Sequence, residues 1–188
     1  MKLYYSPGAC SLSPHIALRE AGLPFDLVLA STKTKKLADG TDFYTINPKG
    51  SVPVLELDNG ARLTEGPAIV QYIADQAPAS GLAPANGTIE RYRLQEWLNF
   101  ITSELHKGFS PLFNPATPDA YKPVARGLLD KRLAWVNEQL EGKAYLTGDQ
   151  FTVADGYLFV VTNWCQFVDV SMTELANLNA FRARVAAR

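Results

Sequence analysis

Residues 77–87 read APASGLAPANG, and this short stretch decides how the chain is organised. Alanine, proline, glycine and serine fill it without an apolar period, which is the composition of a connection between periodic segments. Immediately upstream, Glu65 to Gln76 carries Ile69, Tyr72 and Ile73 at helical spacing. Before that, Val52–Leu57 and Ala61–Leu63 flank Asp58-Asn59-Gly60, a hairpin signal of the Asn-Gly kind. Further back, Phe25 to Ala30 alternates as a strand. Lys2 to Tyr5 is a short apolar and aromatic run ending at Ser6-Pro7-Gly8. Between those two strands a helix is expected from about Pro14, where a first turn accepts proline, to Ala21, with Gly22 as its stop. Residues 31–46 have weak periodicity. The order β-α-β-(irregular helix)-β-β-α predicts a small mixed sheet covered by helices.

Downstream of 77–87 the strand signals vanish. Thr88 to Lys107 places Leu94, Trp97, Leu98, Ile101 and Leu105 on one helical face, with Gly108 read as the stop. Asp119 to Glu141 repeats the pattern through Leu128, Leu129, Val136 and Leu140 and ends at Gly142. Thr152-Val-Ala-Asp155 has capping-box spacing, with Asp in place of the usual Glu or Gln. It opens a helix over 153–168 that is too apolar all round to lie on a surface. A last helix starts near Leu175. The predicted architecture is therefore an α/β domain over 1–77, a linker over 78–87 and an all-α domain over 88–188.

Composition narrows the function. The chain has 188 residues, 47% hydrophobic and 20% charged, with a net charge of -1. Eight acidic and seven basic residues precede position 77, and eleven of each follow position 87. Neither half is a basic patch, so no nucleic-acid partner is expected. Two cysteines make no disulfide framework and fit a reducing compartment. The start, with one lysine before Pro7-Gly8, does not read as a signal peptide. The most apolar stretch is cut by Asp155, Asn163, Gln166 and Asp169, so no membrane span is expected and the protein is placed in the cytoplasm.

Cys10 is the first candidate for chemistry. It falls after the first strand and at or just before the first helix, where the helix dipole favours a thiolate. Ser13 stands three residues on, so the motif is Cys-x-x-Ser without a local resolving thiol. The bland alternative is a buried cysteine acting as a small hydrophobe, and that reading suits Cys165, inside the apolar helix. Of the two histidines, His15 lies five residues from Cys10, and no cluster has the spacing of a metal site. His106 lines up with Asn99 and Ser103 by steps of three and four, as one polar stripe or simply a solvated helix face. Ser51-Val52-Pro53 begins a strand, and a cis bond there would leave the Val52 backbone exposed to pair with a peptide-like ligand. Thr64-Glu65-Gly66 sits at a strand-to-helix turn, where free N–H groups bind carboxylates and Glu65 suits an ammonium. Lys33, Lys35 and Lys36 read most simply as a solvated charge run. Phe109, Phe113, Tyr157 and Trp164 form an aromatic pocket or, more commonly for such spacing, core.

These segments carry a resemblance. SPGACSLSPHIALREAG, NPKGSVPVLELDNG, LTEGPAIVQYIAD, EWLNFITSELHKGFSPLF and FTVADGYLF, collinear along the chain, are similar to the bacterial beta-class glutathione transferases. The resemblance implies a thioredoxin-like domain that binds glutathione, followed by an all-helical domain with a hydrophobic substrate site. It implies that Cys10 contacts the glutathione sulfur and can form a mixed disulfide with it, and that His106 lies near the same sulfur. Val52, ahead of a cis Pro53, would pair with the cysteinyl part. Glu65 and Gly66 would hold the γ-glutamyl end and Lys35 the glycine carboxylate. Asn99, Ser103 and Glu104 would line the site, partly across a homodimer interface, while Tyr5 and Ser11 occupy the places of thiolate-stabilising hydroxyls in other classes. Two departures stand out. Gly156 takes a position where a larger side chain would complete a hydrophobic staple with Phe151, at up to about 1 kcal/mol relative to alanine. The family also continues beyond the position of Arg188.

The expected reaction is attack of the glutathione thiolate on a small hydrophobic electrophile, with glutathione as co-substrate and no metal. A glutaredoxin-like thiol transferase or a glutathione-dependent dehalogenase acting through Cys10 is the first alternative. A non-enzymatic interaction module on the same fold is the second.

Overall fold

Four short strands order the first part of the chain: β1 (Lys2–Tyr5), β2 (Asp26–Leu29), β3 (Val54–Glu56) and β4 (Arg62–Thr64). They lie in the order β2-β1-β3-β4. β1 pairs parallel with β2 through Leu3 opposite Leu27, and antiparallel with β3 through Leu3 opposite Leu55. β3 and β4 form the expected hairpin, with Leu55 opposite Leu63. Both faces of the central strand are covered, so β1 is apolar on both sides rather than alternating. On one, Leu3, Leu18, Leu55, Ile69 and Ile73 are fully buried with the helices α1 (Leu12–Glu20) and α2 (Gly66–Gln76). On the other, Tyr4, Val54 and Val28 pack with Phe43 and Leu37 from the irregular 31–46 segment. That segment holds one 3-10 turn, Phe43–Thr45, capped by Asp42 accepting from the Tyr44 N–H. The computed structural model describes residues 1–188, in two compact units, Met1–Ala83 and Pro84–Arg188.

The second unit is all helical. α3 (Ile89–Phe100) starts at Thr88, whose hydroxyl accepts from the Arg91 N–H, and buried Arg91 clasps the preceding chain by donating to the Pro84 carbonyl at 2.8 Å. Gly108 does not end this helix. The chain runs through a π turn, Ile101–His106, straight into α4 (Lys107–Phe113). The glycine is there because α5 (Lys122–Gln139) passes close by: a Cβ at position 108 would sit 2.8 Å from Leu129 Cδ2. Gly142, by contrast, has φ +69° and does stop its helix.

The apolar helix is also shorter than 153–168. α6 (Val153–Thr162) gives way to a 3-10 turn, Asn163–Phe167, where Asn163 accepts from Arg182 Nη2 of α7 (Ala176–Ala186) at 2.7 Å. At the head of α6, Asp155 accepts from the N–H of Thr152 at 2.7 Å and from the N–H of Leu146 at 2.8 Å. Aspartate thus performs the capping-box role and ties the preceding loop to the helix. Burial pushes its carboxyl up to about 6 against the pull of those donors.

Candidate functional site

Cys10 lies in the turn between β1 and α1, one residue ahead of the N-cap Ser11. It is half-buried, and its Sγ–H donates to the Val52 carbonyl at 3.4 Å. The sequence leads to an expectation of a thiolate here, and in the ligand-free chain burial works against it. Burial, and then the carboxylate of Glu65, push the Cys10 thiol up to about 11, although the backbone amides of Cys10 and Ser11 pull the other way. Ser11 is likewise committed: fully buried, it donates to the Ser6 carbonyl at 3.2 Å and accepts from the Ser6 N–H at 3.1 Å. Its hydroxyl proton holds the turn and is not directed at a sulfur. Tyr5 ends β1, half-buried, opposite Leu29.

Opposite Cys10 stands the loop 47–53. Asn47, buried, donates to the Ser51 carbonyl at 2.7 Å and accepts from the Lys49 N–H. Gly50 has φ +61°, and a Cβ there would meet the Tyr44 ring at 2.5 Å. This bracing presents Val52 and Pro53, joined by a cis bond, just before the ladder begins at Val54. Lys35, at φ 56°, donates through Nζ to the Gly50 carbonyl at 2.8 Å, which fixes its ammonium beside the same loop. Glu65 is a non-glycine residue at φ 68° on the N-cap of α2. That conformation costs of order 1–3 kcal/mol and persists where surroundings enforce it. Lys49 supplies part of the enforcement through an ion pair with Glu65 and a 2.9 Å hydrogen bond to the Thr64 hydroxyl. Gly66 opens α2, ahead of Pro67. Lys49 and Asn47 were not singled out from sequence. Their signal is the Asn-Pro-Lys-Gly turn, in which a buried asparagine organises the backbone that follows it.

In the second unit, His106 is half-buried, and its Nδ1 lies 2.7 Å from the Tyr157 hydroxyl. Trp164 meets the ring edge-on, with centroids 4.8 Å apart. Asn99 and Ser103 face solvent, with Ser103 donating to the Asn99 carbonyl, and Glu104 accepts from Arg132 Nε at 2.7 Å. The single polar stripe expected for Asn99, Ser103 and His106 is therefore broken. Within the π turn the Lys107 N–H reaches back to the Thr102 carbonyl. That insertion shifts later side chains by about one residue, roughly 100° round the axis. Phe109, Tyr157 and Trp164 are buried as core, whereas Phe113 is exposed. No group of three or more His, Cys, Asp or Glu residues is placed to hold a metal ion, and no helix is long and apolar enough to cross a membrane.

Comparison with known proteins places this arrangement. Residues 8–76 match the family model for the glutathione S-transferase N-terminal domain and residues 100–188 that for the C-terminal domain. Glutathione S-transferase GstA of Escherichia coli is 50% identical over 188 residues, spanning 100% of this chain and 94% of that protein. The chain belongs to the glutathione S-transferase family. Among solved structures, a ternary complex of BphK, described as a bacterial transferase of this family, is 61% identical with a TM-score of 0.98, covering 100% of this chain and 94% of that one. The beta-class enzyme of Sphingomonas chungbukensis is 49% identical with a TM-score of 0.97, again over 100% and 94%. A sphingomonad glutathione S-transferase solved with glutathione matches at the same 49% and 0.97, over the same shares. The four-stranded unit is thus the thioredoxin-like domain of a beta-class glutathione S-transferase, and the helical unit is its C-terminal domain.

Proposed function

We propose that this glutathione S-transferase binds glutathione on its first unit and transfers the glutathione thiolate to small hydrophobic electrophiles. The observation that carries the reading is the Cys10 thiol donating to the Val52 carbonyl, at the backbone edge left outside the sheet ladder. A cysteinyl N–H that takes the Val52 carbonyl releases the Cys10 S–H from it, leaving that S–H as a neutral donor beside the cysteinyl sulfur. Glu65 and the Gly66 N–H at the head of α2 suit the ammonium and carboxylate of a γ-glutamyl group. The Lys35 ammonium suits a carboxylate at the other end of the tripeptide.

In this mechanism the nucleophile belongs to glutathione, and Cys10 stays a thiol that donates to the developing thiolate. A glutaredoxin-like reaction requires Cys10 itself to be a thiolate near neutral pH, which burial and Glu65 oppose. In the second unit, His106, Asn99, Ser103 and Glu104 are the residues proposed to take part in substrate binding. The two cysteines are free, which fits a reducing cytoplasm. Ile89 and Tyr92 are 64% and 59% exposed on α3, apolar surface that suits a homodimer.

The test is retention on immobilised glutathione together with conjugation of a chloronitrobenzene. Retention and turnover above the uncatalysed rate are expected. A protein that does neither overturns the reading.

A further inference from the structure

Lys49 is a half-exposed lysine on a loop, yet the fold fixes it at both ends. Its backbone N–H donates to the Asn47 side chain at 3.2 Å, and Asn47, 3% exposed, donates in turn to the Ser51 carbonyl at 2.7 Å. The Gly50 N–H closes the turn on the Asn47 carbonyl at 2.8 Å. At the other end the ammonium donates to the Thr64 hydroxyl at 2.9 Å and pairs with Glu65 Oε1. Thr64 is set on β4 opposite Val54, so this anchor belongs to the sheet and not to the loop. An ammonium whose stem and head are both placed loses less freedom in holding its partner than a lysine on an open surface does.

Glu65 is the carboxylate that the transferase reading gives to the γ-glutamyl ammonium. Its charge is felt at the Cys10 sulfur, which puts it within the same site of the first unit. Lys49 therefore supplies Glu65 with the same chemical group, a primary ammonium, that the ligand brings. A carboxylate has lone pairs for several donors, but two ammonium groups on one carboxylate stand close enough to repel. The incoming ammonium either displaces Lys49 or binds beside it against that repulsion. Both routes reduce what it adds to binding. The same lysine offsets the charge of Glu65, which otherwise opposes the carboxylates of the tripeptide.

We propose that Lys49 is a specificity-determining residue: it stands in for the γ-glutamyl ammonium on Glu65 and so lets the site accept thiol peptides that lack this ammonium. Its selectivity rests on the transferase reading above, in which Glu65 holds the ammonium. All the atoms involved belong to the first unit.

The test compares two ligands by titration calorimetry: glutathione, and glutaryl-cysteinyl-glycine, which is glutathione without its ammonium. The ratio of their dissociation constants isolates the ammonium, because the attraction of Lys49 for the shared carboxylates largely cancels. Lys49→Met should widen the preference for glutathione about three- to tenfold, on the scale of a displaced ion pair together with the loss of its charge compensation. Lys49→Gln, which keeps a donor for Thr64, should widen it too, and this separates loss of the charge from loss of the brace. Lys49→Arg keeps the cation and should leave the preference within about twofold of the wild type. A preference that is unchanged or narrower in both neutral variants overturns the proposal, as does a widening in Lys49→Arg equal to that in Lys49→Met. Glu65→Gln should remove the preference with or without Lys49. A preference that survives Glu65→Gln overturns the assignment of Glu65 to the ammonium, and a wild type that binds neither ligand overturns the transferase reading itself.

Discussion

A thiol placed beside a helix is not thereby a thiolate, and Cys10 shows why. The dipole signal is local and visible in Cys-x-x-Ser, but the carbonyl that accepts its S–H hydrogen bond belongs to Val52 and the opposing charge to Glu65. Both are more than forty residues away and invisible to a local motif. The consequence can be measured by alkylation with iodoacetamide. With its thiol pushed up to about 11, Cys10 in the ligand-free protein should react at pH 8 roughly three hundredfold more slowly than a free cysteine titrating near 8.5. The rate should climb steadily from pH 8 to beyond 10. A plateau reached below pH 8 would show a thiolate after all. Turn chemistry and the resemblance both single out Val52, Glu65 and Gly66, whereas Lys35 reads from its own neighbourhood as part of a solvated charge run and is singled out by the resemblance alone. Lys49 was missed because its role lies in an ion pair with a residue it approaches only after folding.

Elements were readable where punctuation has one meaning. Lys2–Tyr5, the hairpin around Asn59-Gly60 and the stop at Gly142 follow from residues within a few positions of each boundary. Gly108 is different, since the same residue type serves a helix stop by adopting positive φ or a helix crossing by lacking a Cβ. Only Leu129 distinguishes the two. This makes a signed prediction. Gly108→Ala should destabilise the protein by about 1–2 kcal/mol, because overpacking against a fully buried leucine outweighs a helix-propensity gain of about 1 kcal/mol. In a Leu129→Ala background the same substitution should become stabilising. Denaturant unfolding of the four proteins in this cycle tests it, and stabilisation in the wild-type background would contradict the crossing. The π turn had no signal at all in the 3.6-residue period, and it is what separates His106 from Asn99 and Ser103.

Across the whole molecule, stability and chemistry make different demands on acidic groups. Asp155 is buried and supports the loop from Leu146 to Thr152, far along the chain from any proposed contact with glutathione. Its folded-state value, about 6, stands above the ordinary 3.8. The folded state therefore binds more protons than the unfolded one between those values, and the contribution to stability falls as pH rises from about 4 to 6. At about 1.4 kcal/mol per unit, the decline should be roughly 2–3 kcal/mol. Asp155→Asn lacks this titration, so the stability of the wild type relative to the variant should fall across that window. A relative stability that rises with pH would show that the donors of Thr152 and Leu146 prevail over burial.

The central claim, that glutathione supplies the nucleophile and Cys10 only a donated proton, is tested most directly by conjugation of a chloronitrobenzene with Cys10→Ser. Serine keeps a donor at this position but cannot form a mixed disulfide with glutathione. The account predicts conjugation within about tenfold of the wild type, the scale of one ordinary hydrogen bond. Loss of conjugation to the uncatalysed rate, in a variant still retained on immobilised glutathione, would contradict it.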